Sequence, residues 1–127
     1  MIYLDNAATS FPKPEGVYGE IDRILREVGG NPGRGGHKMA IDAGRVVFEA
    51  REAAAELFGL QDSSGVVFTK NGTEALNLAI KGCLSSGDHV VTTDTEHNSV
   101  TRPLKRMETN EGVEVSKVRA GADGSIA

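Results

Sequence analysis

The sequence lacks most features of secreted, membrane-bound and nucleic-acid-binding proteins. Its single cysteine, Cys83, cannot form an internal disulfide, and a lone thiol suits a reducing compartment. The first residues lack the basic stretch and apolar run of a signal peptide, and no later run is long enough to span a membrane. Its 14 basic residues face 18 acidic ones and do not cluster, which argues against a nucleic-acid partner. We therefore expect a cytoplasmic protein without a membrane or nucleic-acid partner.

A metal site is also not expected, because the three histidines, His37, His89 and His97, lack the local pairing of zinc motifs. The content of 39% hydrophobic and 25% charged residues is that of an ordinary globular protein. The sixteen glycines divide the chain without forming a repeat. We expect an N-terminal arm and glycine-rich loop over residues 1–40, followed by an α/β domain that begins within residues 41–127.

Helical periodicity dominates the first half of the chain. A helix is predicted from Glu15 to Val28, after the turn at residues 12–14. From Ile41 to Leu60 the apolar residues recur at helical spacing, with charged residues largely on other faces, so a long amphipathic helix is predicted there. Gly59 is expected to end it, since glycine accepts a left-handed backbone.

After Gly59 the pattern changes to short β-branched runs that alternate with helices. The predicted order is strand 66–69, helix 74–84, strand 89–93, helix 99–109 and strand 113–118. Continuous apolar runs such as residues 90–91 favour a buried parallel or mixed sheet covered by helices. Three strands make a small sheet for this architecture, and the last residues form a turn, so we expect the beginning of a larger α/β domain.

The turn at residues 70–73 connects a predicted strand directly to a predicted helix. Free N–H groups and the positive dipole end at a helix start favour a phosphate, to which Gly72 would allow close approach and Thr73 would donate its hydroxyl. The competing interpretation is an ordinary helix cap, with Asn71 as N-cap and Glu74 three residues later. Physical reasoning alone favours the cap, because capped helices outnumber phosphate sites.

A second polar segment, residues 92–99, follows the next predicted strand and should lie at the same carboxyl edge of the sheet. Open α/β sheets bind ligands at that edge. His97 in this segment could stack on a flat heteroaromatic ligand or transfer protons near neutral pH. The competing interpretation is a solvent-facing loop histidine beside a cap at Ser99.

Four segments together resemble the class-V aminotransferase and cysteine desulfurase family. They are LDNAAT at 4–9, NPGRGGH at 31–37, FTKNGTEALN at 68–77 and EHNS at 96–99. Each motif alone is weak, but their order and separations are those of the family, and the resemblance spans the chain from Tyr3 onward. It implies a pyridoxal-5′-phosphate enzyme of fold type I, a three-layer α/β/α domain with a mostly parallel sheet, and a homodimer.

The resemblance also implies roles for individual residues. Gly72 and Thr73 would contact the cofactor phosphate, and His97 would be the ring-stacking histidine that is also proposed to assist proton transfers. Ala7, Ala8 and His37 would line the substrate side of the pocket, although His37 has the alternative role of ordering the glycine-rich loop.

Two functional groups of the family are expected to lie outside this sequence: the cofactor lysine and the sulfur-accepting cysteine. Lys38 is interpreted as a solvated loop lysine, because it precedes the phosphate turn. Cys83, inside a predicted helix, is interpreted as a small packing residue. Lys70 could support a phosphate but is more simply a solvated lysine at a strand end.

The resemblance implies conversion of L-cysteine to L-alanine in the complete enzyme, with the sulfur passed to an enzyme persulfide for iron–sulfur cluster or thio-cofactor synthesis through a sulfur-acceptor protein. This chain alone is expected to be inactive. Selenocysteine lyase and aminotransferase activities stay open, as does a non-catalytic module that uses the first part of the fold.

Overall fold

A computed structural model describes residues 2–126, and within that range it contains four α-helices and one two-stranded sheet. In chain order the elements are α1 (Glu15–Glu27), α2 (Lys38–Leu57), a 3-10 turn (Ser63–Gly65), α3 (Gly72–Cys83), β1 (His89–Thr93), α4 (Asn98–Asn110) and β2 (Glu114–Val118). The chain divides after Val66 into two compact units, which we call the N-terminal unit and the C-terminal unit. The predicted change from arm to domain at residue 40 stays a prediction.

The four predicted helices and two of the three predicted strands are confirmed, with boundaries within three residues. The strands β1 and β2 pair in parallel, from His89 opposite Glu114 to Thr93 opposite Val118. The α/β class is therefore confirmed. A parallel pair requires a crossover connection, and α4 supplies it here.

The strand predicted at Val66–Thr69 is wrong, because this segment forms no strand. A strand needs a partner that completes its ladder of hydrogen bonds, and β1 and β2 pair with each other in the sheet that the structure describes. Val67 is 65% exposed, which is unlike a central strand of a covered sheet. The β-branched composition of the segment predicts extended backbone, but composition does not determine whether another strand pairs with it.

Helix α4 contributes much of the core of the C-terminal unit. Leu104 and Met107 lie on one face of this helix and are buried, as is Val113 just before β2. Met107 is 1% exposed, and complete burial of such a side chain contributes roughly 1.5–3 kcal/mol. The same helix packs against α3 and β2. It therefore fixes both the strand pair and the start of α3.

The end of α2 follows the geometry predicted for Gly59. This glycine has a φ of 67°, and its N–H donates to the carbonyl of Glu56 at 3.1 Å. The N–H of Leu60 reaches back to the carbonyl of Ala55 at 2.9 Å. These two bonds form a Schellman motif, which satisfies carbonyls that the helix end would otherwise leave without donors.

Apolar surface is extensive in both units. The buried hydrophobic residues of the N-terminal unit are alanines: Ala40, Ala43 and Ala55. Large exposed hydrophobic side chains in the C-terminal unit include Val67, Phe68, Leu76, Leu78 and Val91. The expectation that the isolated chain folds poorly and associates through such surface stays a prediction. Among residues 2–126, no helix is both long and apolar enough to cross a membrane.

Replacement of Gly59 by alanine is expected to lower the free energy of unfolding by about 1–2 kcal/mol, because a residue with a Cβ is strained in the left-handed conformation. No atom lies within 4 Å of that Cβ position, so the change isolates the backbone term. Gly19→Ala in α1 is the matched control and should stabilise by about 0.5–1 kcal/mol, since its surroundings are equally open. Urea unfolding of the full-length enzyme would measure both, and equal effects of the two variants would contradict the assignment.

Candidate functional site

The start of α3 is capped by side chains. Asn71 has an extended backbone, and its Oδ1 accepts a hydrogen bond from the N–H of Glu74 at 2.9 Å. The carboxylate of Glu74 in turn accepts from the N–H of Lys70 at 2.7 Å. The cap predicted at Asn71 is therefore confirmed, and the reciprocal bond resembles that of a capping box displaced by one residue.

The cap leaves two donors of the first turn available. Within the part of the chain that the structure describes, the N–H groups of Gly72 and Thr73 have no hydrogen-bond partner. No atom lies within 4 Å of the position that a Cβ on Gly72 would occupy, so this helix end is open. The dipole of α3 adds positive potential here. An anion can thus bind at the helix start without displacing the Asn71 cap.

The start of α4 is capped by His97, which has an extended backbone. The ring Nδ1 lies 3.1 Å from the backbone nitrogen of Ser99 and 2.9 Å from its Oγ. The prediction of Ser99 as the cap is wrong, since Ser99 lies in the first turn of the helix and is 6% exposed. Serine is a favoured N-cap and histidine is not, so propensity indicated the wrong residue.

The loop that carries His97 is tied to the segment after β2. The N–H of Asp94 donates to the carbonyl of Val118 at 3.0 Å, and the Asp94 carboxylate accepts from the N–H of Ala120 at 2.9 Å. Within the loop, the Thr93 hydroxyl donates to the Glu96 carboxylate at 2.9 Å. These bonds fix the backbone between β1 and α4.

Asn77 connects the first turns of α3 and α4. Its side-chain nitrogen donates to the carbonyl of Thr73 at 3.0 Å and to that of Ser99 at 3.5 Å. The Ser99 carbonyl lacks its usual helical donor, because residue 103, four positions later, is a proline without an N–H. One amide therefore joins the two helix starts and supplies the bond that Pro103 cannot make.

The faces of α3 and α4 line a cavity of about 410 Å³ in the C-terminal unit. Thr73 and His97 both contribute to its wall, so the structure brings these two predicted site residues together, with Gly72 next to them in sequence. Sequence analysis missed the other lining residues, which include Asn77, Ser99 and the basic Lys81, Arg102 and Arg106. A helical spacing of four from Thr73 to Asn77 and Lys81 is the signal that could have indicated them.

Ala7, Ala8 and His37 belong to the N-terminal unit. Ala7 and Ala8 are exposed and lie in a turn in which the N–H of Ala8 donates to the carbonyl of Asp5 at 3.1 Å. His37 is the N-cap of α2, where its Nδ1 accepts from the N–H of Ala40 at 3.4 Å. This contact agrees with an ordering role for His37 after the glycine-rich loop. The substrate-side roles of all three residues stay predictions.

Two residues set aside in the sequence have different surroundings from those expected. Lys38 is the first residue of α2 instead of a loop residue, and its Nζ pairs with the Asp42 carboxylate at 2.6 Å. The hydrogen bond from Lys38 and its charge hold the pKa of Asp42 below its usual value. The prediction that Cys83 packs inside the protein is wrong, since this last residue of α3 is exposed. Residues 2–126 contain no group of three or more potential metal ligands.

The chain is similar to curated bacterial enzymes named cysteine desulfurase IscS. It is 39% identical to that of Haemophilus ducreyi and 40% identical to that of Pasteurella multocida. In both comparisons the match covers 98% of this chain and 32% of the relative. The chain thus spans about a third of the length of the curated relatives it matches.

Solved structures show the same similarity. The apo cysteine desulfurase of Thermococcus onnurineus matches 98% of this chain and 32% of its own length, with a TM-score of 0.85 and 32% identity. The cysteine desulfurase CsdA of Escherichia coli matches 94% of this chain and 31% of its own length, with a TM-score of 0.70 and 28% identity. The family model for aminotransferase class-V matches residues 2–127, and the chain therefore belongs to the class-V aminotransferase family.

Proposed function

We propose that this chain forms the N-terminal portion of a pyridoxal-5′-phosphate-dependent cysteine desulfurase. The complete enzyme would convert L-cysteine to L-alanine and leave the sulfur as a persulfide on an enzyme cysteine. The observation that carries the proposal is the shared cavity of Thr73 and His97, next to a helix start with two available N–H donors. A cytoplasmic homodimer that passes sulfur to an acceptor protein is part of the same proposal.

The residues present fit the phosphate of this cofactor. A phosphate monoester needs several donors and positive potential, and the start of α3 offers the N–H groups of Gly72 and Thr73, the Thr73 hydroxyl and the helix dipole. The flat pyridine ring needs a platform, and the imidazole of His97 lines the same cavity. When bound, the cofactor supplies an electron sink that weakens the carbon–sulfur bond of the substrate.

The remaining work of the chain is to bind and orient. Gly72 and Thr73 hold the phosphate, and the bonds of Asp94 hold the backbone that carries His97. Asn77 keeps the phosphate-binding turn and the His97 turn side by side. The substrate-side roles of Ala7, Ala8 and His37 are part of the same proposal.

The covalent chemistry is proposed to use groups outside this sequence. Lys38 is paired with Asp42, and it precedes the Gly72–Thr73 turn in the chain. Cys83 is ten residues after Thr73 on the same helix, which puts it about 15 Å away along the axis. Neither residue suits the role of cofactor lysine or sulfur acceptor.

Thr73→Val in the full-length enzyme is expected to weaken retention of pyridoxal phosphate by about tenfold or more, since it removes a hydrogen bond to a charged oxygen. Thr73→Ser keeps the hydroxyl and serves as the matched control. Equilibrium dialysis with pyridoxal phosphate and with phosphate-free pyridoxal separates an effect on the phosphate from an effect on the pyridoxal ring. A loss that is equal for both ligands would contradict the assignment of Thr73 to the phosphate.

His97→Ala in the full-length enzyme should keep the cofactor covalently attached but lower turnover far more than cofactor retention. Stacking of one ring contributes only about 0.5–1.5 kcal/mol beyond burial, whereas a positioned proton-transfer group contributes roughly 10²–10⁴-fold in rate. His97→Phe keeps an aromatic face, and His97→Asn keeps a good N-cap for α4. Steady-state kinetics on all three variants would show whether the loss of turnover comes from the aromatic face, the ring nitrogens or the helix cap. Near-native turnover of the alanine variant would contradict a role for His97 in the site.

The 127-residue chain by itself should turn over no L-cysteine and bind no cofactor covalently. The test is gel filtration after incubation with pyridoxal phosphate, followed by a visible spectrum. Absorbance that survives filtration and disappears in Lys38→Ala would overturn this expectation and make Lys38 the cofactor lysine. If the native chain retains no absorbance, the spectrum of the Lys38→Ala variant provides the baseline.

A further inference from the structure

Both hydrogen bonds that hold the His97 ring end on the same atom, Nδ1. The backbone nitrogen of Ser99 lies 3.1 Å from it and the Ser99 hydroxyl 2.9 Å from it. A backbone N–H can only donate, so Nδ1 has to present its lone pair. The hydroxyl hydrogen rotates, so this group can donate to Nδ1 or accept from it, and the backbone N–H is the donor that decides the tautomer. Within residues 2–126, Nε2 of His97 has no hydrogen-bond partner.

We infer that the N-cap of α4 fixes the neutral His97 ring with its proton on Nε2 and that Ser99 is the positioning residue for this tautomer. With the proton on Nδ1 instead, two donors would face each other across 3.1 Å and the first turn of α4 would lose its cap. The tautomer and the helix start are therefore coupled.

This coupling defines what the neutral ring offers to the cavity. Nε2 carries an N–H that donates, while the lone pair of Nδ1 is already used. His97 therefore acts as a hydrogen-bond donor from Nε2, and a role as base at Nε2 would require loss of the bond from the Ser99 N–H. The catalytic consequence rests on the proposed function, whereas the tautomer itself does not.

Ser99 is itself held in place. It is nearly buried, and its carbonyl accepts the bond from Asn77 that Pro103 leaves open. The line of contacts thus runs from Thr73 through Asn77 and Ser99 to the His97 ring. His37 provides an internal comparison, since its Nδ1 caps α2 through a single longer contact of 3.4 Å to the N–H of Ala40.

The tautomer can be read directly by NMR on the full-length enzyme labelled with ¹⁵N. We expect an acceptor-type Nδ1 and a donor-type Nε2 for His97, with a through-hydrogen-bond coupling between the Ser99 amide nitrogen and His97 Nδ1. The corresponding coupling at His37 should be weaker. Absence of the Ser99 coupling, or comparable populations of the two His97 tautomers, would overturn the inference.

Substitutions at Ser99 separate the two contacts. Ser99→Pro removes the backbone donor and should lower the ratio of Nε2-protonated to Nδ1-protonated ring about fivefold, the factor that one net hydrogen bond contributes. Ser99→Ala keeps that donor and removes a hydroxyl that can bond either tautomer, so it should leave the ratio unchanged. Asn98→Pro is the matched control, because it places proline in the same first turn while leaving both Ser99 donors intact.

The full-length enzyme tests the positioning role. Compared with the matched Asn98→Pro variant, Ser99→Pro should lower kcat about fivefold with unchanged KM and cofactor retention, because only Ser99→Pro removes the backbone donor to Nδ1. Equal kcat values for the two variants would overturn the positioning role. If the NMR coupling is present but the native full-length protein lacks desulfurase activity, the proposed function fails while the assigned tautomer stands.

Discussion

The parallel pairing of β1 with β2 is the constraint on which the C-terminal unit depends. Two strands that run in the same direction need a crossover, and the connection here is α4, whose apolar face buries Leu104 and Met107. The turn into that helix has to leave the carboxyl end of β1, so His97 comes to lie at this edge. The bonds from Asp94 to the segment after β2 close the same edge from the other side. The position of the candidate ring-stacking residue is thus a consequence of strand topology.

The contact between this edge and α3 depends on Pro103. Pro103 removes one hydrogen bond from the interior of α4, and the carbonyl that loses its donor is the one that Asn77 reaches. A missing hydrogen bond that would destabilise an isolated helix here allows a contact between two helices. Because the same amide also donates to the carbonyl of Thr73, the first turn of α3 and the His97 turn are held by one side chain. The missing hydrogen bond in α4 and the contact between the two helix starts therefore have a common origin.

Sequence patterns predicted the elements well where local chemistry decides the outcome. The periodicity of α2, the left-handed Gly59 and the cap at Asn71 all depend on neighbouring residues, and each is confirmed. The failures depend on partners. Val66–Thr69 has the composition of a strand but does not form one, and Cys83 was assigned to a core that does not cover it. His97 as a cap and Asn77 as a link were not predicted, because neither residue type indicates that use and both contacts involve specific geometry. The roles of Gly72, Thr73 and His97 toward a cofactor came from family resemblance, whereas the structure contributes their shared cavity.

The side-by-side arrangement of the first turns of α3 and α4 has one more consequence. Each helix start carries a partial charge of roughly +0.5 from its aligned peptide groups, and one amide reaches both turns. The two partial charges have the same sign, so both helix starts contribute positive potential near this contact. Peptide groups do not ionise, and this attraction for an anion is therefore the same in acid and in base, unlike one built from lysine or histidine.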